Sequence, residues 1–252
     1  MNDSEIIYDI SNFNFLIGSD EIHIWNLDFY NLENLKKYYD ILSKEELLKK
    51  NKFQFQKDQI AFGYTRAILR ILLSKYLNVS NDKILFKYND YGKPLLDNSI
   101  ESNITFNVSH SVQFGLIALT NYDEIGVDIE FKKPDLEFKN IAENFFSEYE
   151  SKILSELNEK SCQDIFYKIW TRKEAFIKAV GNGMSIPLKS FVVNIDDIDP
   201  RVLKIEKIEK RRNYNLYNIL IDENYSASLL NIGLKKKVKY FKFDNSFLSN
   251  IY

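Results

Sequence analysis

Two segments constrain this chain more than any other feature: Ile125-Gly-Val-Asp-Ile-Glu130, with a period of two, and Trp170-Thr-Arg-Lys-Glu-Ala-Phe-Ile-Lys178, with a helical period. In a strand, successive side chains alternate between faces. Asp128 and Glu130 therefore share one side, while Val127 and Ile129 point to the other, the expected core side. In a helix, positions four apart share a face, which groups Glu174 with Lys178. Bringing the two faces together gathers three carboxylates and an ammonium around one point. Such oxygen ligands suit Mg²⁺, which is usually shared between carboxylates and substrate phosphates. Taken singly, each acid reads as an ordinary exposed residue. Taken as a pair of motifs, they point to metal-assisted chemistry on a phosphate ester or anhydride.

At 252 residues the chain is long enough for one large domain or two small ones. Nineteen Phe and sixteen Tyr against eight Gly and four Pro favour long ordered elements over disorder. The net charge of -2 argues against a general nucleic-acid binder, which would show a strongly basic face. The single cysteine, Cys162, rules out an intramolecular disulfide and reads as a structural or surface thiol. The acidic start, Met1-Asn-Asp-Ser-Glu5, does not read as a signal peptide, and no apolar run approaches the roughly 20 residues that span a bilayer. A cytoplasmic protein without a membrane or nucleic-acid partner is expected.

Residues 1–20 carry no clear pattern and read as an extension. Glu21–Leu27 alternates as a strand, Leu32–Leu42 is helical, and Ser43-Lys-Glu-Glu46 is a capping box opening another helix. Lys57–Leu77 is the longest helix. Strands are expected at Lys83–Tyr88 and Ile104–Val108, and a hairpin from Phe114–Thr120 and Glu124–Glu130 around Asn121-Tyr-Asp123. The second half repeats this outline. A helix at Phe138–Phe145 is followed by the box Ser147-Glu-Tyr-Glu150 and a long helix, Cys162–Val180, capped by Gly181. Strands follow near Phe191–Ile195, Val202–Ile208, Tyr214–Ile221 and Tyr225–Asn231.

Three further groups invite a binding role. His110, one of two histidines, lies in Asn107-Val-Ser-His-Ser111 and reads as part of a small polar turn that includes Ser109. In Tyr91-Gly-Lys-Pro94, Gly92 and Pro94 fix a turn that can hold Lys93 toward an anion, although a surface turn with a spare lysine is the plainer reading. Arg66 and Arg70 are four apart on the long helix and can share a face toward a phosphate or simply decorate it. His23 reads as structural, Trp170 as a core anchor, Lys173 as a structural or rim residue, and Lys235-Lys-Lys-Val-Lys239 as a solvated strand end.

The paired motifs resemble those of the 4′-phosphopantetheinyl transferases of the surfactin-synthetase type, whose signature joins an (I/V)-G-(I/V)-D-(I/V)-E strand to an (F/W)-x-x-K-E-(S/A)-x-x-K helix. Trp170 and Ala175 match the W-x-x-K-E-A branch, and Phe106–Ser111 and Gly92–Pro94 resemble two further family motifs. The resemblance covers about residues 21–235. It implies an α+β fold of two similar halves related by a pseudo-twofold. Each half would have a long helix on a mostly antiparallel sheet, with the active site between them. The expected division is 1–20 as extension, 21–122 as the coenzyme A-binding half and 123–245 as the catalytic half. It further implies Mg²⁺ on Asp128, Glu130 and Glu174, with Glu174 and Lys178 catalytic. Arg66, Gly92, Lys93, Pro94, Ser109, His110 and Lys178 would bind coenzyme A. The implied reaction moves 4′-phosphopantetheine from coenzyme A to a serine of an acyl or peptidyl carrier protein, releasing 3′,5′-ADP. Nonribosomal peptide, polyketide or fatty-acid synthesis would be served, including antibiotic biosynthesis. Lys132, Lys133, Lys168 and Arg172 are candidates to meet an acidic carrier, and a monomer is expected. A Mg²⁺-dependent phosphodiesterase and a coenzyme A-binding module without catalysis are the rival readings.

Overall fold

Two helices of 22 residues each, Gln56–Leu77 and Glu159–Val180, lie against separate sheets and organise the chain. The structure, a computed structural model, describes residues 13–33, 35–205 and 212–245. In chain order these form β1 (Glu21–Asp28), α1 (Leu35–Asp40), α2 (Lys44–Asn51), α3 (Gln56–Leu77), β2 (Phe86–Tyr88), β3 (Pro94–Leu96), β4 (Ile104–Ser111) and β5 (Phe114–Asn121). There follow β6 (Glu124–Phe131), α4 (Phe138–Phe145), α5 (Glu148–Ser155), α6 (Glu159–Val180), β7 (Phe191–Val193), β8 (Val202–Ile205), β9 (Tyr214–Ile219), β10 (Tyr225–Ile232) and β11 (Lys237–Phe243). The fold is α+β in two units. One comprises residues 1–88, 94–122 and 236–252, and the other 89–93 and 123–235.

In the first unit the sheet order is β11-β1-β5-β4. Its core joins Trp25 and Leu27 of β1, Ile117 and Leu119 of β5, and Phe241 and Phe243 of β11 to Ala67, Ile68, Ile71 and Leu72 of α3. In the second, α6 packs on an antiparallel sheet of order β6-β10-β9, with β7 and β8 as a separate pair. Phe176, Ile169 and Ala179 of α6 meet Leu216, Leu230 and Phe191 in that core.

Both capping boxes form. Glu46 N–H donates to Ser43 Oγ at 3.2 Å and Ser43 N–H to Glu46 Oε2 at 2.8 Å; Ser147 and Glu150 repeat the exchange. Gly181 ends α6 at φ +79°, a conformation that favours a residue without Cβ.

The expected hairpin of Phe114–Thr120 with Glu124–Glu130 does not form. β5 pairs with β1 and β4, whereas β6 pairs with β10, so the short Asn121–Asp123 link passes between units rather than turning back within one sheet. The basic run near Lys235 is also more than a strand end. It leads into β11, which returns to the first unit as a parallel neighbour of β1, so the second unit ends at Lys235 rather than at residue 245. The 1–20 extension is anchored at its end: Phe13 and Phe15 pack on Trp25 and Tyr76. Its residues 1–12, and the expected strand positions 206–208, lie outside the described residues.

His23 is fully buried, with Nδ1 2.7 Å from the Tyr76 hydroxyl and Nε2 3.2 Å from Glu21 Oε2. Burial brings the His23 imidazole down to about 4 despite the neighbouring carboxylate. Burial pushes Glu21 up, but hydrogen bonds from Lys239, His23 and Gly18 outweigh it and bring the carboxyl down to about 2. Both folded-state values lie below the unfolded ones. Acid therefore protonates the unfolded chain first, and the stability these groups contribute is lost as pH falls. Urea unfolding is expected to show a loss from His23 of about 3 kcal/mol between pH 7 and pH 4. His23→Gln should flatten that part of the profile, and an unchanged pH slope would refute the assignment.

Candidate active site

Gly126 determines how closely helix and strand approach. A Cβ there would collide with the backbone of Ala175, Lys178 and Ala179, so α6 lies directly on β6 at this point. On the same face, one pleat along, comes Asp128, and one further comes Glu130. The face that carries the acids is thus the one packed on α6. Val127 and Ile129, on the opposite face, are fully buried, as a core side requires, although they belong to neither of the two hydrophobic clusters.

This contact brings three of the expected residues together. Lys178 Nζ donates to Asp128 Oδ1 at 2.6 Å, with the Lys178 side chain 28% exposed and that of Asp128 only 4%. Glu174 lies one turn earlier on the same helix face. Burial raises the pKa of its carboxyl, the charge of Asp128 raises it further, and Lys178 opposes both. Glu130 stands half-buried opposite Ser226 of β10. Among the described residues no three His, Cys, Asp or Glu side chains are gathered tightly enough to hold a metal ion by themselves. The core of the site is therefore the Asp128–Lys178–Glu174 group, with Glu130 beside it on the strand.

Hydroxyls and buried charge hold that group in register. Thr171, three residues before Glu174, places Oγ1 3.0 Å from Ser228 Oγ and 3.2 Å from Ser226 Oγ, the cross-strand partners of Asp128 and Glu130. Lys173 turns the other way. Its ammonium, fully buried, meets Glu150 Oε2 at 2.8 Å and donates to the carbonyls of Leu188 and Phe191. Glu150 Oε1 in turn accepts from Val193 N–H at 2.9 Å. The Ser147–Glu150 box thus caps α5 and also neutralises the motif lysine, a second role for which the local sequence carries no signal. Trp170 stacks on Phe166, as a core anchor should. Arg172 is buried and donates to Asp196 O and Asn218 Oδ1, which removes it from any carrier-facing surface. Lys132 and Lys168 are paired with Asp164 and Asp197, and Lys133 is exposed.

The other expected contacts are placed differently from their sequence readings. Asn107–Ser111 is the end of β4, not a turn, so alternation sets buried Ser109 and exposed His110 on opposite faces. Gly92 has φ +81°, as its turn requires, and Pro94 starts β3. Lys93 points inward rather than toward an anion, donating to the carbonyls of Ile125, Lys178 and Ala179. Arg66 and Arg70 are both buried rather than decorating a surface. Arg70 Nε meets Glu46 Oε2 at 2.7 Å and its Nη1 donates to Asn81 O and Ile84 O. Arg66 lies over the Phe86 ring, 3.7 Å from Glu46 Oε1, and its buried Nη1 has no hydrogen-bond partner. Nearby, a cavity of about 290 Å³ is walled by Ser43, Glu46, Arg70, Phe86 and Tyr88.

Residues 124–230 match the 4′-phosphopantetheinyl transferase superfamily and residues 31–121 match the family described as 4′-phosphopantetheinyl transferase, N-terminal. The 4′-phosphopantetheinyl transferase HetI of Nostoc sp. is 31% identical over 232 residues, covering 91% of this chain and 95% of that one. The transferase gsp of Aneurinibacillus migulanus is 36% identical over 66% of this chain and 68% of its own. Sfp of Bacillus subtilis is 32% identical over 65% and 70%. The chain belongs to the 4′-phosphopantetheinyl transferase superfamily. Within it, the chain is an enzyme of the surfactin-synthetase type that its paired motifs resemble.

Two substitutions test how the group is held. Gly126→Ala must push α6 off β6 and is expected to cost about 1–3 kcal/mol, read as a lower thermal midpoint. Lys173→Met leaves Glu150 buried without its counter-ion, at an expected cost of about 3–5 kcal/mol in urea unfolding. Adding Glu150→Gln should recover part of that loss.

Proposed function

We propose that this enzyme transfers 4′-phosphopantetheine from coenzyme A to the serine of an acyl or peptidyl carrier protein, with Mg²⁺ as its metal. The observation that carries the reading is the group formed by Asp128, Lys178 and Glu174 on facing elements of one unit. The donor set suits the metal. Asp128 and Glu174 are near enough for one charge to raise the pKa of the other, a repulsion that a divalent cation relieves, and Mg²⁺ is commonly held by one or two carboxylates with substrate phosphates completing its shell. Asp128 and Glu174 would hold it, with Glu130 beside them on the strand as a further ligand candidate, and when bound it would supply charge neutralisation at the pyrophosphate.

The chain's own residues account for the rest. Glu174, partly desolvated and with a raised pKa, takes the proton from the carrier serine hydroxyl. The serine oxygen forms a bond to the β-phosphorus as the pyrophosphate P–O bond breaks, and 3′,5′-ADP leaves. Lys178, held by Asp128, stabilises the developing charge on the leaving phosphate and can protonate it. In the first unit, the buried Arg66 Nη1 is a donor that a phosphate of coenzyme A would satisfy. His110, exposed near the end of β4, is a further phosphate contact in this reading, and Gly92 and Pro94 shape the separate turn before β3. We place the enzyme in the cytoplasm as a monomer, serving nonribosomal peptide, polyketide or fatty-acid carriers.

Intact mass of purified apo-carrier proteins, incubated with coenzyme A, Mg²⁺ and the enzyme, tests the proposal. The expected result is a gain of about 340 Da, the phosphopantetheinyl arm, on at least one carrier. Glu174→Gln should lower the rate by at least about a hundredfold. Coenzyme A cleaved without carrier modification would instead identify a hydrolase, and coenzyme A bound but unchanged would identify a binding module.

A further inference from the structure

The C-terminal end of α6 carries Lys178, and the last carbonyls of any helix lack intrahelical donors. Here the donors come from a distant stretch of chain, the turn Asn89–Lys93, which groups with the second unit although its neighbours on both sides belong to the first. The turn is closed on itself. Asn89 Oδ1 accepts from Tyr91 N–H at 3.0 Å and Lys93 N–H at 2.9 Å, and Gly92 N–H donates to Asn89 O at 2.9 Å. So braced, it sends two side chains to the helix end. Asn89 Nδ2 donates to Gly181 O at 2.7 Å. Lys93 Nζ donates to Lys178 O at 2.5 Å, to Ala179 O at 3.2 Å and to Ile125 O of β6 at 3.1 Å.

An ammonium has three donors, and Lys93 commits all three to backbone carbonyls. One belongs to Lys178 itself and another to the residue three positions before Asp128. The cation also sits at the negative end of the helix dipole, where it is favoured. Burial brings its pKa down to about 8, with Glu124 opposing, as expected of an ammonium enclosed by backbone.

We propose that Asn89 and Lys93 form a clip that locks the carboxyl end of α6 to β6 and thereby sets the reach of Lys178 to Asp128. Lys93 is then a positioning residue and makes no contact with substrate. The inference rests on the transferase reading above, and it changes the part played by the Gly92–Pro94 turn: its lysine serves the catalytic helix rather than an anion.

The test compares Lys93→Met, which keeps the stem and removes the cation, with Asn89→Ala, which removes the neutral half of the clip. Lys93→Arg serves as a cationic control. Carrier modification is followed at varied coenzyme A, together with hydrogen exchange of the amides at 176–181. A clip predicts that Lys93→Met and Asn89→Ala both lower kcat, by about tenfold to a hundredfold, with KM for coenzyme A changed less than about twofold. Both should also speed exchange at the helix end, and Lys93→Arg should recover part of kcat. A raised KM for coenzyme A in Lys93→Met with kcat intact, and a silent Asn89→Ala, would make Lys93 a substrate contact and overturn the clip. Unchanged exchange in both variants would overturn it equally. Where Lys93→Met does not fold, Asn89→Ala still decides the question. Faster exchange in the variants of a wild-type protein that modifies no carrier would support the clip while refuting the transferase reading.

Discussion

The contact between Gly126 and the backbone of α6 is the constraint on which the second unit depends. A strand and a helix normally stand apart by the thickness of their side chains. Removing one Cβ where they cross lets the helix backbone rest on the strand, and the residues just beyond the crossing are brought within hydrogen-bonding range. Asp128 and Lys178 meet at 2.6 Å because of that approach, and Glu174 is carried next to them by the helical repeat. The glycine therefore acts through geometry alone: a Cβ at this position would meet the backbone of α6.

Within the two units, buried charges divide into two kinds. Lys173, Arg172, Arg70 and Lys93 are consumed by structure, each held by a carboxylate or by backbone carbonyls. They fasten the long helices to strands and loops that local interactions alone would leave free. Asp128, Glu174 and Lys178 form the other kind. Their charges face one another, two of like sign, at a place that is partly open to solvent. Structural ion pairs are usually arranged so that every charge is answered. Here the charge of Asp128 raises the pKa of the Glu174 carboxyl, a repulsion of the kind that a divalent cation relieves.

Much of this was legible in the chain before folding. The two capping boxes, the long helices, the Gly181 stop and the acid-bearing strand follow from local rules of spacing and backbone conformation, and the structure shows them where expected. Local rules failed where a partner is distant. The strand β6 was expected to fold back on β5 because they are neighbours in sequence, yet it pairs with β10, nearly a hundred residues later. The parallel return of β11 beside β1 left no local trace, since the short basic run before it reads equally well as a solvated end. Ser109 and His110 looked like one polar turn because a strand end and a turn have the same composition here.

By itself, the sequence determined which acids and cations share a face, because a period of two and a period of 3.6 decide that, and those periods are backbone properties. It also determined the family, through two motifs in fixed order. Tertiary structure decided what each cation does. A lysine four residues from an acid, one adjacent to it and one in a distant turn look alike in sequence. Folding left Lys178 on Asp128, buried Lys173 against Glu150 and turned Lys93 onto the helix end. The reason is physical: an ammonium takes the nearest desolvated acceptors, and which acceptors are nearest is set only when distant segments pack.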